Sequence, residues 1–164
     1  MSKTSAALFV FSLFLCASAS AATNAWTGAG DGGSWSDAAN WDGGLPAAGD
    51  DVVIAVSATT TVTLVASTPE LHSLSISSTG KTLPATLCSS NWTTAIRAKS
   101  VVVGAYARIT CAGPFSNDEM SNRVWIVTES LDVKANGAVD VSGKGYRGAL
   151  PGAIPQGPGS IGIS

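Results

Sequence analysis

The chain has 164 residues, of which 45% are hydrophobic and only 12% are charged, and its formal net charge at pH 7 is −2. This composition excludes an intrinsically disordered chain, because disorder requires fewer apolar side chains and more charge. No basic face is apparent in the sequence, which argues against nucleic acid and anionic membranes as partners.

Residues 1–21 have the three zones of a secretory signal. Lys3 supplies a positive charge, residues 6–16 form an apolar run, and Ala19-Ser20-Ala21 has the form of a cleavage site. The apolar run is too short to cross a bilayer as a helix, which takes about 20 residues. The sequence therefore predicts a secreted or cell-surface protein that does not insert into a membrane after the signal is cleaved.

Cleavage leaves Cys88 and Cys111 as the cysteines of the mature chain. In an oxidising compartment an isolated pair more often forms a disulfide than a metal site, so we predict a Cys88–Cys111 disulfide. His72 is the only histidine, and Cys and His alone therefore cannot complete a zinc site. We predict no metal and no cofactor.

Residues 22–50 are rich in turn-forming residues and contain three of the five Trp. Asn40 and the Asp side chains of this region can satisfy the amides of turns. Each Trp has an apolar surface on the order of 200 Å² to bury. We therefore predict that Trp26, Trp35 and Trp41 fold back onto the following β-structure and form an N-terminal cap.

From Asp51 onward, short runs of residues alternate between apolar and polar, and helical periodicity is weak by comparison. The predicted strands are 52–56, 61–65, 71–76, 100–103, 107–111, 124–127, 131–134 and 138–141. The pattern predicts an all-β domain over residues 51–141.

A weak internal repeat indicates stacked coils. Ser73, Ser100 and Ser130 each begin a strand of the form Ser-apolar-x-apolar, and each strand is followed by a corner of small residues. Intervals of this length suit one turn of a β-solenoid. The spacing of Cys88 and Cys111 is close to one coil and would place them on adjacent rungs about 4.8 Å apart. A β-sandwich is the alternative fold, and it could also pair the two cysteines.

Residues 142–164 carry seven Gly and three Pro. Such a stretch cannot hold a regular ladder, so we expect a tail or a loop. A solenoid that stopped at Val141 would expose strand edges and an open core. We therefore expect the chain to be part of a larger protein or to need a partner at that end.

The sequences WTGAGDGGSW (26–35), NWDGGLP (40–46) and GDDV (49–52) resemble the start of large bacterial secreted and surface β-helix proteins. This family includes autotransporter-type passengers and their associated β-strand repeats. The resemblance is close in these motifs and loose in the later strands. It implies an exported, right-handed parallel β-helix, and it implies an adhesin or a polysaccharide-interacting protein.

The cap Trp residues have two interpretations. Aromatic faces suit pyranose rings, so Trp26, Trp35 and Trp41 are candidate carbohydrate-binding residues, whereas buried packing is the interpretation that we favour. Trp92 and Trp125 are interpreted as single residues of the core or the surface.

Acidic residues and His72 offer further candidates. Asp31, Asp50 and Asp51 have oxygens that suit Ca²⁺, but their Gly-Asp-Gly and Gly-Asp-Asp settings are also those of ordinary turns, which we favour. His72 is expected to point outward, and no Ser or Cys signature accompanies it to form a triad.

Asp132 and Asp140 are expected to face outward from neighbouring strands, where two carboxylates could mimic a polysaccharide hydrolase or lyase site. We favour solvated face residues. We therefore predict no catalytic residue.

The favoured function is an exported, non-catalytic β-solenoid module that acts in cell-surface structure or adhesion. Extracellular polysaccharide or cell-surface components are the expected partners. One alternative is the N-terminal part of a β-helix enzyme that acts on polysaccharides. The other is a small carbohydrate-binding module that uses the Trp cluster.

Overall fold

The computed structural model describes residues 21–82, 84–115 and 122–147. Residues 1–20 of the predicted signal and residues 148–164 of the predicted tail lie outside the described residues. The described part holds one short 3-10 helix, Ala38–Asn40, and no α-helix. Its strands are β1 (Thr23–Ala25), β2 (Asp51–Val56), β3 (Thr60–Leu64), β4 (Leu71–Ser78), β5 (Ala85–Ser89), β6 (Ile96–Val103), β7 (Ala107–Cys111), β8 (Ile126–Val127), β9 (Ser130–Val133) and β10 (Ala138–Val139).

The strands pair in parallel and alternate between two sheets, which is the arrangement of stacked coils. One sheet runs β1-β2-β4-β6, with β8 and β9 both on β6, and the other is a 4-stranded sheet in the order β3-β5-β7-β10. Each of the first three coils supplies one strand to each sheet, and the fourth supplies β8 and β9 to one sheet and β10 to the other. We call β2 and β3 the first rung, and β9 and β10 the fourth. The predicted parallel β-solenoid is confirmed, and the β-sandwich alternative is wrong.

The register confirms the internal repeat. Ser73 pairs with Ser100, and Ser100 pairs with Ser130, so the three repeat starts lie directly above one another. Asp51 occupies the same position one coil earlier, opposite Ser73. The coils therefore differ in length, and the extra residues are taken up by the connections between strands while the strands stay aligned.

Glycines stand where the corners of successive coils approach most closely. A Cβ on Gly104 would lie 2.9 Å from the carbonyl oxygen of Ile76, and one on Gly137 would lie 2.5 Å from that of Val103. These distances are too short for any side chain, so the corner between the two sheets requires Gly at these positions.

The core consists of columns of apolar side chains that continue from rung to rung inside the coils. Each Val, Leu or Ile that is fully buried contributes about 1.5–3 kcal/mol relative to an exposed position. The columns contain Val52, Leu74 and Val101; Ile54, Ile76 and Val103; and Val62, Leu87 and Ile109, all between 0% and 1% exposed.

Two strands were not predicted from the sequence, β1 and β5, and β6 begins at Ile96, before the predicted start at residue 100. These segments consist partly of small residues such as Ala85 and Ala98, whose own strand preference is weak. They become strands because the neighbouring rungs supply both hydrogen-bond partners and packing.

The predicted disulfide is wrong, because both Cys88 and Cys111 are free thiols. The two residues do lie on adjacent rungs, but Cys111 pairs with Ser89, and Cys88 pairs with Thr110. Successive side chains of a strand point to opposite faces. A shift of one residue therefore puts Cys111 on the buried face and Cys88 on the other. Burial raises the pKa of both thiols.

Candidate functional site

The three Trp of the cap form one buried cluster at the first rung. Trp41 lies edge-on to both of the others, with ring centroids 5.0 Å from Trp26 and 4.7 Å from Trp35. Its indole Nε1 donates to the carbonyl oxygen of Trp35 at 2.8 Å. Trp26, Trp35 and Trp41 are only 8%, 8% and 4% exposed, which confirms the packing interpretation. Carbohydrate binding by these residues stays a prediction, and their burial disfavours it because little ring surface is open to a sugar.

Asn40 organises the loop that brings these Trp residues together. It is fully buried. Its Oδ1 accepts from the amides of Gly30 and Gly32 at 2.9 and 3.0 Å, and its Nδ2 donates to Asp31 Oδ1 at 2.8 Å and to the carbonyl oxygen of Ser34 at 2.9 Å. A buried amide satisfied on both sides fixes the loop in one conformation.

Two of the calcium candidates are residues of turns. Asp31 Oδ1 accepts from the amides of Ser34 and Gly33 at 2.8 and 2.9 Å, and Asp50 Oδ2 accepts from the amide of Ala47 at 2.8 Å. The backbone bond from Ser34, followed by those from Gly33 and from the Asn40 amide, holds the pKa of Asp31 far below its ordinary value. Within the described residues, no group of three or more His, Cys, Asp and Glu side chains could hold a metal ion.

Asp51, the third calcium candidate, is bonded to two side chains of the next rung. Its Oδ1 accepts from the Ser73 hydroxyl and lies 2.7 Å from Nδ1 of His72. The hydrogen bond from Ser73, and then that from His72, lowers the pKa of Asp51. The His72 side chain is 56% exposed and points outward, as predicted. In a nucleophilic triad the Ser bonds to the His. Here both bond to the same carboxylate, so the three side chains do not form a triad.

The acidic pair predicted on neighbouring strands is divided between two sheets. Asp132 lies on β9 and is ion-paired with Lys134, whereas Asp140 follows β10 in the other sheet. Asp140 Oδ2 lies 3.6 Å from Nε of Arg108, and its Oδ1 accepts from the amide of Ser142 at 2.9 Å. The bonds from Ser142, more than the charge of Arg108, lower the pKa of Asp140. The prediction of neighbouring strands is wrong, and each carboxylate has its own local partner.

The first rung is sealed along both sheets. At the outer edge of β1, the amide of Asp42 donates to the carbonyl oxygen of Ala25 at 3.0 Å, and Ala25 donates back to Asp42 Oδ1 at 2.7 Å. At the outer edge of β3, Thr63 exchanges backbone bonds with Gly33 at 2.7 Å and with Trp35 at 3.1 Å. The cap therefore closes the strand edges as well as the core.

The fourth rung has no such cover among the described residues. Leu131 and Val133 continue the columns of two buried Val of β6, and Val139 continues the column of Ile109. These three side chains are nevertheless 46%, 43% and 41% exposed, and the next inward position, Val141, is 52% exposed. We call this surface the open end; it consists of Leu131, Val133, Val139 and Val141.

A second aromatic cluster lies beside the last rungs, and sequence reasoning missed it. The guanidinium carbon of Arg123 lies 4.6 Å from the ring centroid of Trp92 and 4.1 Å from that of Trp125, and that of Arg97 lies 5.7 Å from Trp125. Arg123 Nε also donates to the carbonyl oxygen of Trp92 at 2.8 Å. The interpretation of Trp92 and Trp125 as single residues is therefore wrong. The available signal was the separation of 31 residues between Trp92 and Arg123, about one coil.

These features define a parallel β-solenoid with one capped end and one open end. Comparisons of the chain with protein-family models, with curated proteins and with solved structures give no match. In the described part of the chain, no helix has the length and apolar character needed to cross a membrane.

Proposed function

We propose that this chain is an exported, non-catalytic β-solenoid module that acts in cell-surface structure or adhesion, and that its open end joins further β-rungs. The observation that carries the proposal is the difference between the two ends of the coil stack. The cap seals the first rung, whereas the fourth rung presents apolar columns in register with the core. Strand edges flanked by exposed apolar side chains pair readily with other strands.

The polar contacts support a non-catalytic role. His72 and Ser73 share one carboxylate, and Asp132 and Asp140 each bind a basic side chain of their own. The burial of the cap Trp residues weighs against a carbohydrate-binding module built on the cap. The proposal of export rests on the signal pattern of residues 1–21.

The joining surface is tested by sedimentation velocity at increasing protein concentration. We expect the purified chain to associate, because a second copy can supply the strands that the open end lacks. Val133→Asp should abolish this association, since it places a charge in the column that a joining rung would cover. Val65→Asp is the matched control, because Val65 is also exposed, at 54%, but lies just beyond β3 and outside the open end.

Association that Val133→Asp and Val65→Asp weaken equally, or no association at any attainable concentration, would reject the open end as a joining surface. Export is tested separately by fractionating cells that produce the full chain and reading the N-terminus of the recovered protein, which we expect to be Ala22. Release of reducing or unsaturated sugar ends from polysaccharides by the purified chain would contradict the non-catalytic role.

A further inference from the structure

We propose that a cavity beside the last two rungs binds a small amphipathic carboxylate, that is, one acid group on an apolar ring or chain. The cavity has a volume of about 380 Å³. Sites for small molecules commonly have about 300–1,000 Å³ and combine apolar walls with a few polar groups. The cavity shares Val141 with the open end, but the inference rests on the shape and charge of the cavity and does not require the joining role.

The walls of the cavity are mainly apolar and come from different coils. Phe115 is only 5% exposed, and its backbone holds the segment after β10 through bonds with Gly145 at 2.9 Å and Arg147 at 2.7 Å. The wall is thus fixed by pairing between successive coils. Its apolar side chains are Trp92, Phe115, Val124 and Val141.

Two cationic side chains, Arg123 and Lys144, also line the cavity, and the lining within residues 84–115 and 122–147 contains no Asp or Glu. Neither cation has an ion pair within 4.0 Å among the described residues. The described lining is therefore complementary in charge to an anion.

Arg123 is held in place before any ligand arrives. Its guanidinium is stacked on Trp92 and Trp125, and its Nε donates to the Trp92 carbonyl oxygen. Among the described residues, none accepts a hydrogen bond from its terminal nitrogens. A guanidinium fixed by aromatic rings can offer these nitrogens to a carboxylate with little loss of conformational freedom.

The balance of donors and acceptors favours an acid with an apolar body over a sugar. Sugar hydroxyl groups need acceptors as well as donors, and a saccharide site therefore usually provides carboxylates. Here Arg123 and Lys144 provide donors only, and among the described lining residues the amide of Asn122 is the other polar side chain besides the Cys111 thiol. The apolar walls match a ring or an alkyl chain, and the two cations match one carboxylate.

The test is calorimetric titration of the chain with naphthoate, with naphthamide as the neutral probe of the same shape. We expect naphthoate to bind at least about tenfold more tightly than naphthamide, the factor that one charge-assisted hydrogen bond supplies. Lys144→Gln should lower the affinity for naphthoate by about tenfold and leave the affinity for naphthamide unchanged. Lys134→Gln is the matched control, because Lys134 is bound to Asp132 and does not line the cavity.

Alkylation locates the site independently of affinity. Cys111 lines the cavity and Cys88 does not, so bound naphthoate should slow the modification of Cys111 and leave that of Cys88 unchanged. Equal binding of naphthoate and naphthamide, an unaltered affinity in Lys144→Gln, or an unprotected Cys111 would each overturn the proposal. The last result would place the probe elsewhere, for example on the apolar side chains of the open end.

Discussion

Trp41→Ala is the most direct test of the claim that the cap closes the coil stack. Trp41 is 4% exposed and contacts both other cap Trp residues. Removing about 200 Å² of buried ring at about 25 cal/mol per Å² costs up to about 5 kcal/mol. Core Trp→Ala substitutions lose about 3–5 kcal/mol, so we expect the free energy of unfolding to fall by that amount. Urea denaturation followed by circular dichroism measures it.

Two further variants separate the causes of this loss. Trp41→Phe keeps most of the ring contacts but leaves the carbonyl oxygen of Trp35 without its donor, so we expect a loss of about 1–3 kcal/mol. Trp92→Ala removes a Trp that is 37% exposed and should cost less than about 2 kcal/mol. If Trp41→Ala destabilised the protein no more than Trp92→Ala, the cap would not be part of the cooperative core.

Three other predictions follow from single contacts. Gly137→Ala should lower the free energy of unfolding by about 1–3 kcal/mol, because the added Cβ overpacks the corner. Gly145→Ala is the control: its Cβ would meet nothing within 4 Å, so its free energy of unfolding should stay within about 0.5 kcal/mol of the parent value. The pKa of Asp31 is depressed in the folded state, so its contribution to stability is present above its ordinary value of 3.8 and is lost as the pH falls below it. Asp31→Asn should therefore unfold at a lower temperature than the parent chain at neutral pH, and this difference should shrink in acid; a constant difference would contradict the assignment. Thiol titration of residues 22–164, unfolded without reductant, should find two free thiols, Cys88 and Cys111. In the native protein the buried Cys111 should react more slowly than Cys88. If neither thiol were found, the two cysteines would form the disulfide predicted from the sequence.

The stacking of coils could be predicted from the sequence because it depends on a repeated pattern. Ser73, Ser100 and Ser130 begin similar strands, and the structure stacks them in one column. The burial of the cap Trp residues was also predictable, since large rings in a glycine-rich stretch must find an apolar surface.

Features that depend on which face of a strand each side chain points to could not be predicted. Cys88 and Cys111 lie one coil apart, but a displacement of one residue decides the face on which each side chain lies. Coil lengths vary because the connections between strands absorb insertions. The number of residues between two positions therefore does not determine whether their side chains share a face. The meeting of Trp92, Arg123 and Trp125 depends in the same way on where the connection between coils turns.

The energetics of the open end favour a junction inside a larger assembly over a tight contact between separate molecules. Its four side chains are already about half buried. Burying each of them completely would therefore contribute roughly 1 kcal/mol to the free energy of association. Free molecules lose an estimated 4–15 kcal/mol of translational and rotational freedom on association, which offsets most of the gain from these side chains and from backbone pairing along the strand edges. Rungs held nearby by a tether or a common surface avoid most of that loss, because their effective concentration is high. The isolated chain should therefore associate weakly and only as its concentration rises, whereas the same surface can form a firm joint wherever modules are held side by side.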